Sequence, residues 1–158
     1  MENSLPLLRI MEYFGNMSLL ELPKTAFLAS STIPVEMVFS CYDWAVKMRN
    51  EGRCVISGFS SRLEKDVWDF LVDGKQPIIL VLAREMYRKI PQELQSLLDA
   101  DRLLIISITK AVRQSKSTAQ ARNKYICELA DDIMFIGATP QSSLYELSNQ
   151  FKSKVLSL

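Results

Sequence analysis

An α/β domain with a mostly parallel five-stranded sheet and helices on both faces is predicted by three features of the sequence. Five short runs rich in Val, Ile, Leu and Phe recur along the chain, amphipathic segments with helical spacing separate them, and the loops that open several of those helices are small and rich in hydroxyls. Near-continuous apolar runs of this length suit strands buried on both faces. Strands that alternate with helices call for parallel pairing through right-handed crossovers.

The elements follow in chain order. Residues 1–22 read as a lead-in, in which Leu5, Leu7, Leu8, Ile10, Tyr13 and Phe14 mark a short helix and a strap broken at Gly15-Asn16. The domain proper then spans residues 23–158, with strands over 25–29, 54–57, 77–82, 103–108 and 133–136. A helix over 34–50 begins with a proline suited to a first turn and ends before Gly52. The helix over 61–73 places Leu63, Val67, Phe70 and Leu71 on one face, opens with a Ser61/Glu64 capping box and stops at Gly74. Helices over 91–100 and 118–130 carry Leu94, Leu97 and Leu98, and Tyr125, Ile126 and Leu129. A last helix over 143–158 aligns Leu144, Leu147, Phe151, Val155 and Leu158 in one stripe, with Ser143 and Glu146 as a second capping box. The whole is a Rossmann-like three-layer domain.

Composition excludes several classes of function. The chain has 158 residues, 48% hydrophobic and 23% charged, with 19 Lys+Arg against 18 Asp+Glu, the balance of a folded domain rather than a disordered one. Histidine is absent, which removes Ser-His-Asp, Cys-His and His-metal mechanisms together. Cys41, Cys54 and Cys127 are odd in number, widely spaced and flanked by apolar residues, so core thiols in a reducing cytoplasm are expected. No apolar run reaches the roughly 18 residues of a membrane span, and Glu2 with no basic flank argues against a secretory signal. A cytoplasmic protein with no metal, no cofactor, no catalysis and no membrane partner is the expectation.

In an open parallel sheet, ligands bind beyond the carboxyl ends of the strands. The loops there are Ala29-Ser30-Ser31-Thr32, Ser57-Gly58-Phe59-Ser60-Ser61 and the stretch from Gly137 to Ser142-Ser143. Helix N-termini at such loops favour an anion, although Ser and Thr also serve simply as caps. Between Asp101 and Glu128 there is no acidic residue, while Arg102, Lys110, Arg113, Lys116, Arg122 and Lys124 are all basic. Arg122 precedes Ile126 by four and Leu129 by seven, so it points to the face its helix buries. A buried guanidinium needs either a carboxylate of its own chain or an anion from outside, and a phosphate matches its fork. Asn123 beside it offers a donor and an acceptor for a sugar or base.

Several of these residues carry a family resemblance. Gly15-Asn16 with Leu19-Leu20, then Pro23-Lys24-Thr25-Ala26-Phe27-Leu28, Val55-Ile56-Ser57-Gly58-Phe59, Pro77-Ile78-Ile79-Leu80-Val81-Leu82, Arg122-Asn123-Lys124 with Leu129-Ala130-Asp131, and Ser143-Leu144 follow one another in order. The sequence from Gly15 onward resembles the Rossmann-like domain of the DNA-processing protein A (DprA/Smf) family, within the wider SLOG superfamily of nucleotide-binding domains. The resemblance implies single-stranded DNA or a nucleotide as ligand, a homodimer, a RecA-type recombinase as partner, and a role in DNA uptake and recombination. It also implies a phosphate site around Ser57, Gly58, Arg122, Asn123 and Lys124. The chain departs from the family pattern in having Ala29-Ser30-Ser31 where a Gly-Ser-Arg is usual, and in placing Arg62 one position late. It looks like a minimal, diverged member.

Three functions follow. In the first, Arg62, Lys110, Arg113, Lys116, Arg122 and Lys124 hold a DNA backbone, with Phe59 or Tyr87 as the stacking aromatics and Phe59 better suited to the core. In the second, the hydroxyl-rich loops cradle a small nucleotide in a sensor domain. In the third, Glu64 serves a nucleotide hydrolase, although its capping position explains it without catalysis.

Overall fold

The computed structural model describes residues 4–158, so Met1, Glu2 and Asn3, the start of the expected lead-in, lie outside the described residues. The strands are β1 (Glu12–Gly15), β2 (Lys24–Ala29), β3 (Cys54–Ser57), β4 (Ile78–Leu82), β5 (Leu103–Ser107) and β6 (Asp132–Ile136). They form one sheet in the order β1-β5-β4-β3-β2-β6, with β1 antiparallel to β5 and every other pairing parallel. The helices are α1 (Ser4–Leu7), α2 (Val35–Glu51), α3 (Arg62–Val72), α4 (Gln92–Asp99), α5 (Lys116–Leu129) and α6 (Tyr145–Gln150).

Alternation along each strand divides the core into two halves. Phe27, Val55, Ile78, Leu80 and Ile105 face Trp44 and Met48 of α2, Leu63 and Val67 of α3, and Leu94 and Leu97 of α4. Ala26, Leu28, Ile56, Ile79, Val81 and Leu104 face Tyr125 and Ile126 of α5, with Leu144 and the partly buried Leu147 of α6. Because both faces are covered, the central strands β2 to β5 are buried at every position, as their apolar sequence predicts. The α2 helix ends at Gly52 in the left-handed conformation, and the Ser61/Glu64 capping box opens α3.

Two expectations need correction. The sheet has six strands rather than five, because residues 12–15 of the expected strap pair with β5. All four are exposed, so no apolar pattern announces the strand. Gly15 still ends it: its φ is +102°, and a Cβ there would overlap the Leu103 carbonyl oxygen. The second correction concerns the expected helix over 143–158, which is only α6 followed by a 3-10 turn at Lys152–Lys154. Its predicted Ser143 cap is not formed; Leu144 is the N-cap residue, and its own N–H donates to Ser142 Oγ at 3.1 Å. Two long-range contacts end the helix early. Lys154 Nζ donates to the Cys127 and Glu128 carbonyls at the end of α5, and Leu156 N donates to Ile133 O at 2.8 Å along the free edge of β6. The predicted stripe therefore splits, with Leu144 buried and Val155 and Leu158 exposed.

The three cysteines are free and buried, as expected. Burial pushes the Cys41 thiol up to about 11, those of Cys54 and Cys127 to about 12, and the Tyr125 phenol to about 12. The unfolded chain ionises at the ordinary values of 9.0 and 10.0, so these groups favour the folded state fully below pH 9.0. That contribution is lost as the pH rises through the folded values. The denaturant midpoint is accordingly expected to fall steadily between about pH 9 and about pH 12, with thiol reagents reacting only as the chain unfolds. A flat midpoint across that range, or rapid native labelling, would contradict the packing.

Candidate functional site

The loop after β2 leads to a helix on one face of the sheet, and the loop after the neighbouring strand β6 leads to a helix on the other. Such a divergence opens a crevice at the carboxyl ends of the two strands. A hollow of about 940 Å³ lies there, lined by the loops after β2 and β6 and the N-terminal turns of α3 and α5. Gly137 holds the loops together at φ +74°, where a Cβ would come within 2.7 Å of Ile33 Cδ1 and 3.1 Å of Ser30 Cβ.

Arg122 is 3% exposed and reaches from α5 to the edge of this hollow. Its Nε donates to Asn123 Oδ1 at 2.8 Å, Nη2 to Ser60 Oγ at 3.1 Å, and Nη1 weakly to Val81 O at 3.4 Å. None of these acceptors is charged, and no carboxylate among the described residues forms a salt bridge with it. Burial lowers its pKa, and the field of Glu64 partly offsets that effect. Gly58 makes the position possible, since a Cβ there would overlap Nη1, Cζ and Nε of Arg122. The Ser-Gly turn and the arginine of α5 are thus one structural unit.

Glu64, also 3% exposed, departs from the expected free backbone cradle. Its Oε1 accepts from Ser60 N at 2.9 Å and Ser61 N at 3.2 Å, and its Oε2 accepts from Ala29 N at 2.9 Å. The carboxylate therefore caps α3 and also ties the end of β2 to the loop after β3. Three of the backbone donors that sequence reasoning offers to a ligand are here occupied by the chain itself. Other loop N–H groups are likewise engaged: Ser30 N donates to Ile136 O and Ser142 N to Thr139 O.

The hollow brings together Ser30, Ser31, Ser60, Ser61, Lys116, Arg122, Asn123, Ser142 and Ser143 of the expected residues. The others lie elsewhere. Ser57 is fully buried, its Oγ accepting from Phe59 N at 3.0 Å, so it shapes the turn and lines no hollow. Gly58 lines a second hollow of about 350 Å³, which shares Ser60, Gln114 and Arg122 with the first. Lys124 lines a third, of about 320 Å³, beside Gln120 and Glu146. Arg62 is exposed and 3.7 Å from Asp66, while Lys110 and Arg113 stand exposed on the loop before α5. Arg102 is at the opposite end of the sheet, donating to the carbonyls of Leu71, Val72, Gly74 and Gln76 around the end of α3. Phe59 is a core residue, edge-on to Trp68 at 4.9 Å. Tyr87 lines the second hollow, its ring 5.4 Å from the Arg84 guanidinium.

Sequence reasoning missed Gln114 in the lining, while Thr32, Thr139 and Gln141 lie in the loops it singled out without being named as binding residues. It also placed the start of α5 late. Ser115 caps that helix with Thr118 in a capping box, a signal hidden because Thr stands where Glu or Gln is usual.

The family model described as DNA recombination-mediator protein A matches residues 6–147. The chain belongs to this family. No curated protein matches it at the level of sequence. Among solved structures, this family member is similar to DNA processing protein A from Streptococcus pneumoniae, with TM-score 0.72 and 20% identity, over 90% of this chain and 52% of that one. It is also similar to DNA processing protein A from Helicobacter pylori, described in its single-stranded DNA binding mode, with TM-score 0.69 and 18% identity, over 92% and 71%. A molybdenum cofactor binding protein from Rippkaea orientalis shares the fold more distantly, with TM-score 0.51 and 11% identity, over 86% and 90%. The chain spans about half the length of the pneumococcal structure. The Rossmann-like fold of the family is thus present, its sheet carrying one antiparallel edge strand. No helix among the described residues is long and apolar enough to cross a membrane.

Proposed function

We propose that this family member binds single-stranded DNA through its phosphate backbone at the hollow between β2, β6 and α5, acting by binding rather than by catalysis. The observation that carries this reading is Arg122: a buried guanidinium at the edge of a hollow, held by neutral oxygens and lacking a carboxylate partner. An incoming phosphate supplies the missing charge. Asn123 spends its carbonyl on Arg122, so it turns its amide donors to the ligand. Lys116 at the rim, with Lys110 and Arg113 on the adjoining loop, extends the positive surface along a strand. The Helicobacter relative's single-stranded DNA binding supports the ligand class.

Gel shifts with single-stranded oligonucleotides test the reading. Binding is expected at low salt and is expected to weaken with a shallow salt slope, because few phosphates are neutralised. Arg122→Ala is expected to weaken it by on the order of 2–3 kcal/mol, roughly thirty- to a hundred-and-fiftyfold. Binding that ignores this substitution, or that is absent at low salt, overturns the assignment.

The hollow's volume of about 940 Å³ also suits a small nucleotide, the second reading. A nucleotide that binds only the folded state raises the melting temperature, so a thermal-shift series with mono- and dinucleotides tests it. We further propose a cytoplasmic homodimer that serves a RecA-type recombinase during DNA uptake and recombination. A monomer by light scattering, or no capture of a purified recombinase, removes those assignments.

A further inference from the structure

We propose that Glu64 makes the hollow selective for an internucleotide phosphodiester over a terminal phosphate monoester. The inference rests on the phosphate-binding reading above and adds which phosphate the site accepts. Where two loops converge on a helix N-terminus, backbone N–H groups ordinarily hold the additional charge and oxygen of a monoester. Here the N–H groups of Ala29, Ser60 and Ser61 are all engaged by the Glu64 carboxylate. An internal anion sits where the ligand's would.

The consequence is a matter of charge. Arg122 and Glu64 are both 3% exposed and line the same hollow, one buried cation and one buried anion. A phosphodiester carries a single negative charge and two non-bridging oxygens, which a guanidinium fork can hold. A monoester near neutral pH carries about −1.5 to −2 and three acceptor oxygens. Its surplus charge meets the Glu64 carboxylate, which already holds the N–H groups of Ala29, Ser60 and Ser61. Lys116, the other lining cation, is exposed, so solvent and salt weaken its compensation. The site is therefore matched to the interior of a strand rather than to its end or to a free nucleotide.

Direct titration of two labelled oligothymidylates, alike except for a 5′-hydroxyl or a 5′-phosphate, tests this, with thymidine 5′-monophosphate as competitor. The wild-type protein is expected to bind the two with the same affinity, and the mononucleotide is expected not to compete. In Glu64→Gln the charge is removed and the amide nitrogen no longer accepts from a backbone N–H. The 5′-phosphorylated strand is then expected to bind about tenfold tighter than its partner, the scale of one charge-assisted hydrogen bond. The proposal is overturned if the wild type prefers the 5′-phosphate tenfold, if the mononucleotide competes with it, or if folded Glu64→Gln keeps the wild-type ratio. The wild-type comparison stands without the variant, should the variant fail to fold. Absence of binding by either oligonucleotide instead removes the DNA-binding reading beneath it.

Discussion

Gly58→Ala is expected to abolish most of the oligonucleotide binding while leaving the fold standing. The glycine is not in a left-handed conformation, so alanine meets no backbone strain. Its Cβ instead overlaps the guanidinium of Arg122, the far end of a flexible side chain. The side chain is driven from Ser60 and Val81, and the phosphate loses its buried partner. The cost to stability is expected to be about 1–3 kcal/mol, as for other overpacked sites. The loss of binding is expected to match that of Arg122→Ala. Since both substitutions remove one contact, the double variant is expected to bind no more weakly than either single one. Additive losses would show that Gly58 acts independently of the arginine, and undiminished binding in Gly58→Ala would show that the guanidinium need not occupy this place.

The largest effect on stability is expected from Arg102→Ala, far from the hollow. Its guanidinium donates to Leu71 O at 2.9 Å, Val72 O at 3.1 Å, Gly74 O at 2.6 Å and Gln76 O at 3.0 Å. These carbonyls belong to the end of α3 and the turn that follows, where a helix leaves its last acceptors unpaired. Truncation strands several of them at once, and a loss of roughly 3 kcal/mol or more is expected. For a chain of this size that corresponds to a melting temperature lower by about 6–12 °C. Lysine does not restore it, because a point charge cannot reproduce the planar fork. Oligonucleotide affinity, measured well below the transition, is expected to be unchanged. A shift of only a degree or two would mean that water replaces the fork without penalty.

Arg102 and Arg122 show how far sequence reading reaches. Both belong to one basic stretch without an acidic residue, yet one caps a helix at one end of the sheet and the other lines the hollow at the opposite end. Helical spacing placed Arg122 on the buried face, because periodicity is a local property. It could not show that Gly58 gives it room, since that contact joins residues far apart in the chain. Glu64 was legible as a cap through Ser61, three residues away. Its second oxygen on Ala29, 35 residues away, was not.

Strand order in the sequence, the two-faced burial of the central strands, the fate of the cysteines and the inward aim of Arg122 were written in local pattern, because burial and helix phase repeat over a few residues. Pairing across distance decided the rest. It made a strand of the exposed residues 12–15, cut the last helix at Lys152–Lys154, and filled the backbone donors of the loops with a carboxylate. Hydrogen-bond partners of edges, ends and loops come from wherever the fold brings a free group, and neighbouring residues carry no record of that choice.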